Sequence, residues 1–129
     1  MTGRAAASIL RSMDLTDLDR HGAARLPALL RPTQCADIVA LWDQPAAFRK
    51  EVVMARHGFG NGRYRYFAYP LPDAVTTLRD RLYPALAEQA NRWSALLGTG
   101  DIYPARHADF LARCALGGQD KPTPLLLRY

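Results

Sequence analysis

Cysteine, lysine and long apolar runs are all scarce in this sequence of 129 residues. The two cysteines, Cys35 and Cys114, lie far apart and form no CxxC pair, so they support neither a disulfide framework nor a zinc knuckle. No apolar run approaches the ~20 residues that span a bilayer. Arg11 and Asp14 interrupt the alanine-rich start before a signal-peptide core forms. We therefore expect a cytoplasmic protein with no membrane partner.

The net charge is positive, but the basic residues are dispersed. Lysine and arginine total 17 against 12 aspartates and glutamates, which gives +5. All of the basic residues except Lys50 and Lys121 are arginines. A nucleic-acid-binding protein is expected to gather such charge on one face or stripe, whereas these arginines are spread along the chain with aspartates between them. The charge pattern therefore argues against nucleic acid as a partner.

The length and the apolar content predict one folded domain. Hydrophobic residues make up 49% of the chain, and the length suits one core rather than two. We expect residues 1–12 to form a loose leader and residues 13–129 to belong to a single domain. Apolar residues spaced by three or four, with capping residues and breakers at the ends, predict helices over residues 14–20, 33–43, 73–97 and 104–116.

Single residues predict where these helices begin, bend and bury side chains. Thr33 is the expected cap of the second helix. Pro84 predicts that the third helix is kinked or divided, and its apolar residues are spaced so that they form one stripe. Cys35 and Cys114 are expected to be buried as small apolar residues.

Three stretches carry a β pattern and make the predicted fold class α+β. Residues 23–30 are apolar but divided by Pro27, and they predict a short strand followed by a turn. Residues 51–55 and 63–69, rich in β-branched and aromatic residues, predict the two strands of a hairpin. Asn61-Gly62 between them suits the positive φ angles of a tight turn.

Leu125, Leu126 and Leu127 predict one more strand, at the end of the sequence. Three consecutive leucines are typical of a strand that is covered on both faces. Either this strand closes a small sheet, or the sequence is the front portion of a larger domain, truncated in its first core strand. We favour the second interpretation and expect these leucines to find few partners within the chain.

Two motifs resemble ligand sites and are better explained by ordinary structure. His107-Ala108-Asp109 has the H-x-D spacing of iron ligands. Residues two apart on a helix point to different sides, however, so we expect no shared metal there. The glycine-rich stretch at residues 58–62 lacks the Lys and Ser/Thr of a P-loop and is expected to be a turn.

Cations and aromatic rings alternate between Arg56 and Phe67. This pattern suits phosphate contacts and base stacking, and arginines can also bind a carboxylate through two parallel hydrogen bonds. The interpretation that we favour is one strand whose rings pack inward while its arginines reach water. No Ser-His-Asp or Cys-His arrangement stands out, so no catalytic residue is assigned.

Five short segments are informative in combination: residues 56–60 (Arg-His-Gly-Phe-Gly), 64–67 (Tyr-Arg-Tyr-Phe), 69–72 (Tyr-Pro-Leu-Pro), 82–84 (Leu-Tyr-Pro) and 122–129 (Pro-Thr-Pro-Leu-Leu-Leu-Arg-Tyr). From about Leu18 to Tyr129 the chain resembles a bacterial family of Fe(II)/2-oxoglutarate-dependent oxygenases related to the prolyl 4-hydroxylases. The resemblance implies that the helices and the hairpin form the front part of a double-stranded β-helix (jelly-roll) oxygenase domain, whose core strands are mostly missing here.

The resemblance also implies what the chain contributes. The family's iron ligands follow the strand at residues 125–129, so we expect no catalytic residue and no metal ligand in this chain, and no cofactor bound by it alone. Fe(II) and 2-oxoglutarate are expected for the complete protein, a hydroxylase of a small-molecule or peptide substrate. The expected partner of this chain is the remainder of the oxygenase domain. Tyr129 is the expected neighbour of 2-oxoglutarate. The expected substrate entrance consists of Arg56, Arg63, Tyr64, Arg65 and Tyr66.

The alternative is a small, non-catalytic α+β binding module that binds nucleic acid through the Arg56–Phe67 hairpin. An open reading frame beyond Tyr129 that encodes H-x-D and a later histidine would decide for the oxygenase.

Overall fold

A computed structural model describes residues 13–129 of the chain, and the expected leader at residues 1–12 lies outside them. The described residues have the predicted α+β character, with helices and one three-stranded antiparallel sheet. They form two compact units. The helical unit contains Arg79–Arg113 together with the described residues up to Leu29, and the sheet unit contains Leu30–Leu78 and Cys114–Tyr129. None of the described helices is long and apolar enough to cross a membrane.

Helices occur near all four predicted positions: α1 (Thr16–His21), α2 (Pro32–Ala40), α3 (Asp73–Leu97) and α4 (His107–Leu116). Their ends differ from the prediction. Thr33 does not cap α2, because Pro32 takes the first helical position that suits proline and Arg31 becomes the N-cap residue. The Gln34 side chain accepts a hydrogen bond from the backbone N–H of Arg31 at 2.9 Å. Pro84 lies inside α3 and does not divide it into two helices.

The sheet has the strand order β1 (Phe48–Val53), β2 (Arg63–Phe67), β3 (Leu125–Arg128). Both neighbouring pairs are antiparallel, so the predicted hairpin of β1 and β2 is confirmed. β3 lies along the other edge of β2. The Arg49 side chain, at the irregular step of β1, donates to the carbonyl oxygen of Pro122 from Nε at 3.1 Å and from Nη2 at 2.8 Å. This contact joins β1 to the segment that leads into β3.

The connection between β1 and β2 differs from the predicted tight turn at Asn61-Gly62. β1 continues into a short 3-10 helix, Met54–His57, and positive φ angles occur at Gly58 (72°) and Gly60 (100°). The Met54 N–H donates to the carbonyl oxygen of Gly62 at 2.9 Å. That hydrogen bond closes the longer connection at the start of β2.

The core of the sheet unit is aromatic. Phe67 is only 1% exposed, and it lies opposite Phe48 on the neighbouring strand. The two rings stack with their centroids 4.9 Å apart. The Phe67 N–H donates to the carbonyl oxygen of Pro124, and the Ala68 N–H donates to that of Ala47. These bonds fix the end of β2 where its largest apolar side chain is buried.

β3 is a less buried strand than the run of leucines predicts. Leu125 and Leu127 are 40% and 47% exposed, and Leu126 is half-buried. In the described residues β3 pairs with β2 alone, so it has a neighbour on one edge only. The expectation that both faces are covered is wrong here. The expectation that the leucines find few partners within the chain agrees with their exposure.

The interior of the helical unit is partly polar. Gln89 of α3 is 2% exposed, and its side-chain Nε2 donates to Oδ1 of Asp19 in α1 at 2.9 Å. The same Asp19 oxygen accepts a hydrogen bond from the indole N–H of Trp93 at 2.6 Å. Ser94, also buried, donates to the backbone carbonyl oxygen of Asp101 at 2.6 Å. Hydrogen bonds therefore satisfy the polar side chains that this unit buries.

Two further expectations are wrong for the described residues. Residues 23–26 form no strand, because a strand needs a neighbour to pair its backbone and these residues have no regular structure, whereas the turn expected after them is present at residues 27–28. Cys35 is exposed and Cys114 is half-buried. The apolar stripe of α3 is partly exposed in its second half, at Leu86, Trp93 and Leu97.

Candidate functional site

The residues of the expected substrate entrance lie on different surfaces. Successive strand residues point to opposite faces, so Arg63 and Arg65 share one face of β2 while Tyr64 and Tyr66 lie on the other. The two tyrosine rings meet edge to face with their centroids 5.7 Å apart. Arg56 is exposed on the 3-10 helix after β1. The five side chains therefore do not form one continuous surface, and their role at a substrate entrance stays a prediction.

β1 and β3 add two charged residues to the face of Arg63 and Arg65. Glu51 lies opposite Arg65 and Arg128 lies opposite Arg63. Side chains that are directly opposite on neighbouring strands are close neighbours on one face. We call this group of Arg63, Arg65, Arg128 and Glu51 the arginine face. It holds three guanidinium groups and one carboxylate.

Arg65 makes several contacts within the protein. Its Nε donates to Glu51 Oε2 at 2.5 Å, and its Nη1 donates to the carbonyl oxygen of Trp42 at 2.7 Å. The guanidinium group also lies over the Trp42 ring, 4.3 Å from the centroid, and 5.7 Å from the ring centroid of Phe48. Arg65 therefore ties β2 to β1 and to Trp42, which belongs to the short 3-10 helix after α2.

The Glu51 carboxylate is held in its charged form by these arginines. The hydrogen bond from the Arg65 side chain lowers the pKa of Glu51 below its ordinary value of 4.5. The positive charges of Arg65, Arg63 and Arg56 act in the same direction, while partial desolvation opposes them. Glu51 is therefore ionised at neutral pH, and its strongest partner is Arg65.

Arg63 and Arg128 are much less constrained than Arg65. The Arg63 side chain is 58% exposed and reaches Glu51 at 3.8 Å. The Arg128 guanidinium lies 5.7 Å from the centroid of the Trp42 ring, and in residues 13–129 it has no carboxylate partner within ion-pair distance. Like charges directly opposite on neighbouring strands are destabilising. An anion between these two arginines would relieve that repulsion.

A pocket of about 260 Å³ lies beside the two arginines. Its lining consists of Trp42, Asn61, Arg63, Arg128 and Tyr129. Two guanidinium groups, one amide and one phenolic hydroxyl supply hydrogen-bond donors, and no aspartate or glutamate is among the lining residues. The pocket therefore suits an anion that has several oxygen atoms. Tyr129, the expected neighbour of 2-oxoglutarate, is part of this lining.

Gly62 allows Tyr129 to approach the start of β2 closely. Gly62 is buried, and a Cβ atom placed on it would lie 2.7 Å from Met54 Sδ and 3.1 Å from Cδ1 of Tyr129. The thioether is flexible, but the aromatic ring would have to move. Glycine at this position therefore helps to define the shape of the pocket.

The two ends of the H-x-D motif have different partners. His107 Nδ1 lies 2.7 Å from Asp80 Oδ1, and the His107 ring stacks on Tyr83 with their centroids 4.9 Å apart. Asp109 pairs instead with Arg106 at 3.6 Å. Across residues 13–129, no three His, Cys, Asp or Glu side chains come together as a possible metal site.

Sequence reasoning missed Trp42, Asn61 and Arg128 as members of one site. Arg128 belongs to a segment that carries the resemblance but has no predicted role, and Trp42 falls within the predicted helix at residues 33–43. The alternation of the strands could have placed Arg128 on one face of β3. No sequence signal gives the register that brings it opposite Arg63.

Comparison with known families now adds to this geometry. A family model described as an oxygenase catalysing oxidative methylation of damaged DNA matches residues 62–129, more than half of the chain. The chain belongs to this oxygenase family. The matched region contains three of the five pocket residues, Arg63, Arg128 and Tyr129.

This family assignment corrects the expected resemblance. The oxygenase class was right, but the family related to the prolyl 4-hydroxylases was wrong, because the matching family is the one described for damaged DNA. The segments that suggested the resemblance are short and combine aromatic residues, proline and leucine. Such residues reflect turns and strand packing, which do not separate one oxygenase family from another.

Two relatives come from Mycobacterium tuberculosis. They are the uncharacterized protein Rv2227 of strain H37Rv and the uncharacterized protein MT2286 of strain CDC 1551, each 38% identical to this chain over 63 residues. The aligned part is 49% of this chain and 27% of each relative. The chain therefore spans about a quarter of the length of these relatives. No solved structure matches the chain.

Proposed function

We propose that this chain is part of an oxygenase that oxidises damaged DNA, and that its arginine face contacts the nucleic acid. The description of its family supports this substrate class. The observation that carries the assignment to this surface is the local excess of charge, three guanidinium groups beside one carboxylate. The alternative interpretation of the Arg56–Phe67 hairpin as a nucleic-acid contact thereby gains support within an oxygenase.

The fold brings together arginines that are dispersed in the sequence, and this weakens the argument from dispersed charge against a nucleic-acid partner. Arg128 is far from Arg63 in sequence, yet the register of β2 and β3 places the two opposite each other. A cluster of guanidinium groups attracts DNA through its phosphates, whatever the base sequence. Such clusters also increase the rate of encounter with a charged ligand. Charge that is scattered in the sequence can therefore be concentrated on a surface.

The residues of the arginine face bind and position the substrate in this proposal. Arg63 and Arg128 contact phosphate oxygens, since their guanidinium groups are the ones that Glu51 does not bind tightly. Arg65, which Glu51 binds, holds Trp42 beside the pocket. Phosphate contacts position a protein on DNA, whereas contacts to the bases specify the sequence. The arginine face thus accounts for binding of a strand, and recognition of the damaged base lies with other residues.

We also propose Fe(II) and 2-oxoglutarate as the metal and cosubstrate of the complete protein, and a jelly-roll core as its fold. The described residues do not fit an iron ion, because no three potential ligands among them come together. No chemical step through iron is therefore assigned to them. The location of Tyr129 near 2-oxoglutarate stays a prediction.

The test is a turnover assay with the protein encoded by the complete reading frame. We expect succinate to form in the presence of Fe(II), 2-oxoglutarate and DNA treated with a methylating agent, with much less succinate when untreated DNA is supplied. Mass spectrometry of the DNA should show loss or oxidation of the methyl groups. Succinate formation that is the same with and without DNA would contradict a DNA substrate.

A non-catalytic DNA-binding module is the second candidate, and the exposed pair of Arg63 and Arg128 favours it equally. The same assay separates the two candidates. A protein that binds the treated DNA but forms no succinate, while a known 2-oxoglutarate oxygenase does so under the same conditions, would support the binding module.

A further inference from the structure

We propose that the pocket of Trp42, Asn61, Arg63, Arg128 and Tyr129 binds one phosphodiester group of a DNA strand. The proposal rests on the proposed function for the choice of DNA, and on the chemistry of the pocket for the choice of phosphate. It deepens the proposed function, because it assigns the two arginines, together with Asn61 and Tyr129, to one pocket that holds a single phosphodiester group.

The hydrogen-bonding groups of the pocket match a phosphate. Opposite residues on antiparallel strands have Cβ atoms roughly 4.5–5.5 Å apart, so the side chains of Arg63 and Arg128 start from neighbouring points on one face. Each guanidinium group can donate two parallel hydrogen bonds to phosphate oxygens. The amide of Asn61 and the hydroxyl of Tyr129 add neutral donors to the same lining.

The existing ion pairs leave positive charge available in the pocket. Glu51 receives its 2.5 Å hydrogen bond from Arg65 and lies 3.8 Å from Arg63. One carboxylate therefore balances one of the three arginines. Arg63 and Arg128 face each other without full compensation, and an anion bound between them would turn an unfavourable pair into a favourable one.

The exposure of the pocket favours a phosphodiester over a dicarboxylate cosubstrate. Arg63 and Arg128 are both exposed, and the Arg63 side chain is 58% exposed. A phosphodiester must enter from solvent while its strand continues on both sides. An open pocket permits this, whereas a small-molecule site buries most of its ligand.

The experiment measures binding of a fluorescein-labelled, undamaged single-stranded oligothymidine by the full chain over a series of salt concentrations. Undamaged DNA isolates phosphate binding from recognition of a lesion. For single strands, the logarithm of the affinity falls with the logarithm of salt with a slope of about −0.7 per phosphate contact. We expect Arg63→Gln and Arg128→Gln each to weaken binding roughly three- to tenfold, and the double variant to make the slope shallower by about 0.7, the share of the one phosphate that the two arginines bind.

Arg106→Gln is the matched control, since it removes one exposed arginine and the same net charge outside the pocket. We expect its slope and affinity to equal those of the parent. Equal losses in the control and the two pocket variants would overturn the proposal, because binding would then depend on net charge alone. Melting by circular dichroism verifies that each variant is folded.

Competition experiments identify the source of the anion. An unlabelled thymidine oligonucleotide should displace the probe at lower phosphate concentration than inorganic phosphate or thymidine monophosphate. Stronger competition by the monophosphate would identify a free-nucleotide site and overturn the proposal. Competition by 2-oxoglutarate but not by phosphate would assign the pocket to the cosubstrate and overturn it as well.

The turnover assay distinguishes a failure of the phosphate pocket from a failure of the proposed oxygenase function. DNA-dependent succinate formation together with unchanged DNA binding by both pocket variants would overturn the phosphate pocket alone. Loss of binding in both variants without any DNA-dependent turnover would overturn the oxygenase function and support the pocket.

Discussion

The helical unit and the sheet unit use their polar side chains in different ways. In the helical unit, Asp19 accepts hydrogen bonds from Gln89 and Trp93, and Asp80 pairs with His107. These polar groups satisfy one another. In the sheet unit the core is a stack of phenylalanine rings, and the arginine face carries more guanidinium groups than carboxylates.

This difference separates polar groups that stabilise from polar groups that are available for a ligand. A buried polar group must be hydrogen-bonded within the protein, because leaving it unpaired costs free energy. An exposed guanidinium group has no such requirement, since water solvates it. The uncompensated arginines of the sheet unit are therefore a better indication of function than the more numerous polar contacts of the helical unit.

The largest expected effect concerns the aromatic core of the sheet unit. Phe67→Ala should lower the free energy of unfolding by about 3–5 kcal/mol, because it removes a ring that is 1% exposed and stacked on Phe48. Phe59→Ala is the control, since Phe59 is exposed, and should change it by no more than about 0.5 kcal/mol. Urea denaturation measures both. Similar losses in the two variants would show that Phe67 is not the centre of this core.

The next effect concerns the hydrogen bonds of the helical unit. Asp19→Ala should cost about 1–3 kcal/mol, because it leaves the buried amide of Gln89 without its carboxylate acceptor. Asp17→Ala, on the same short helix, should cost less, as it removes only a favourable charge from the first turn. If both variants lose the same amount in urea denaturation, the buried hydrogen bond contributes nothing beyond helix electrostatics.

The sequence predicts the elements of this fold better than their arrangement. Alternating charge and aromatic residues around β2 reveal a strand because alternation is a local property. Residues 23–30 show the limit of the same reasoning, since an apolar run forms a strand only where another strand pairs with it. The rule that a proline can divide a helix has a similar limit, since Pro84 lies inside the single helix α3. Tertiary contacts decide such cases, and they are not local in sequence.

The candidate site was predictable only in part for the same reason. Arg63 and Tyr129 were singled out from the sequence, and both line the pocket. Their partners Trp42 and Arg128 come from the chain before β1 and from β3. Register determines which residues meet across strands, and here it is the register between β2 and β3 that pairs Arg63 with Arg128. A single sequence does not contain that information in readable form.

A smaller effect should separate two arginines on the same strand. Arg65→Gln should cost about 1–2 kcal/mol, because Arg65 donates to both Glu51 and the Trp42 carbonyl oxygen. Arg63→Gln should change the free energy of unfolding by no more than about 0.5 kcal/mol, since its pair with Glu51 is long and exposed. Urea denaturation at neutral pH tests this difference. A larger loss for Arg63→Gln than for Arg65→Gln would reverse the roles assigned to the two residues.

The smallest expected effect is a dependence of stability on pH that comes from Glu51. Its pKa in the folded chain lies below the ordinary value of 4.5 because the Arg65 side chain donates to the carboxylate. The unfolded chain therefore binds a proton at Glu51 at a higher pH than the folded chain does. The stabilisation is complete above pH 4.5 and is lost as the pH falls through the lowered pKa. Asp14, whose pKa is lowered by hydrogen bonds from Thr16, acts in the same direction.

Urea midpoints of the parent and Glu51→Gln, measured from about pH 6 to about pH 3, isolate the Glu51 contribution. We expect the parent to be the more stable protein at the upper end and the two midpoints to converge towards the lower end. A constant difference between them across this range would show that the Glu51 proton is not linked to folding.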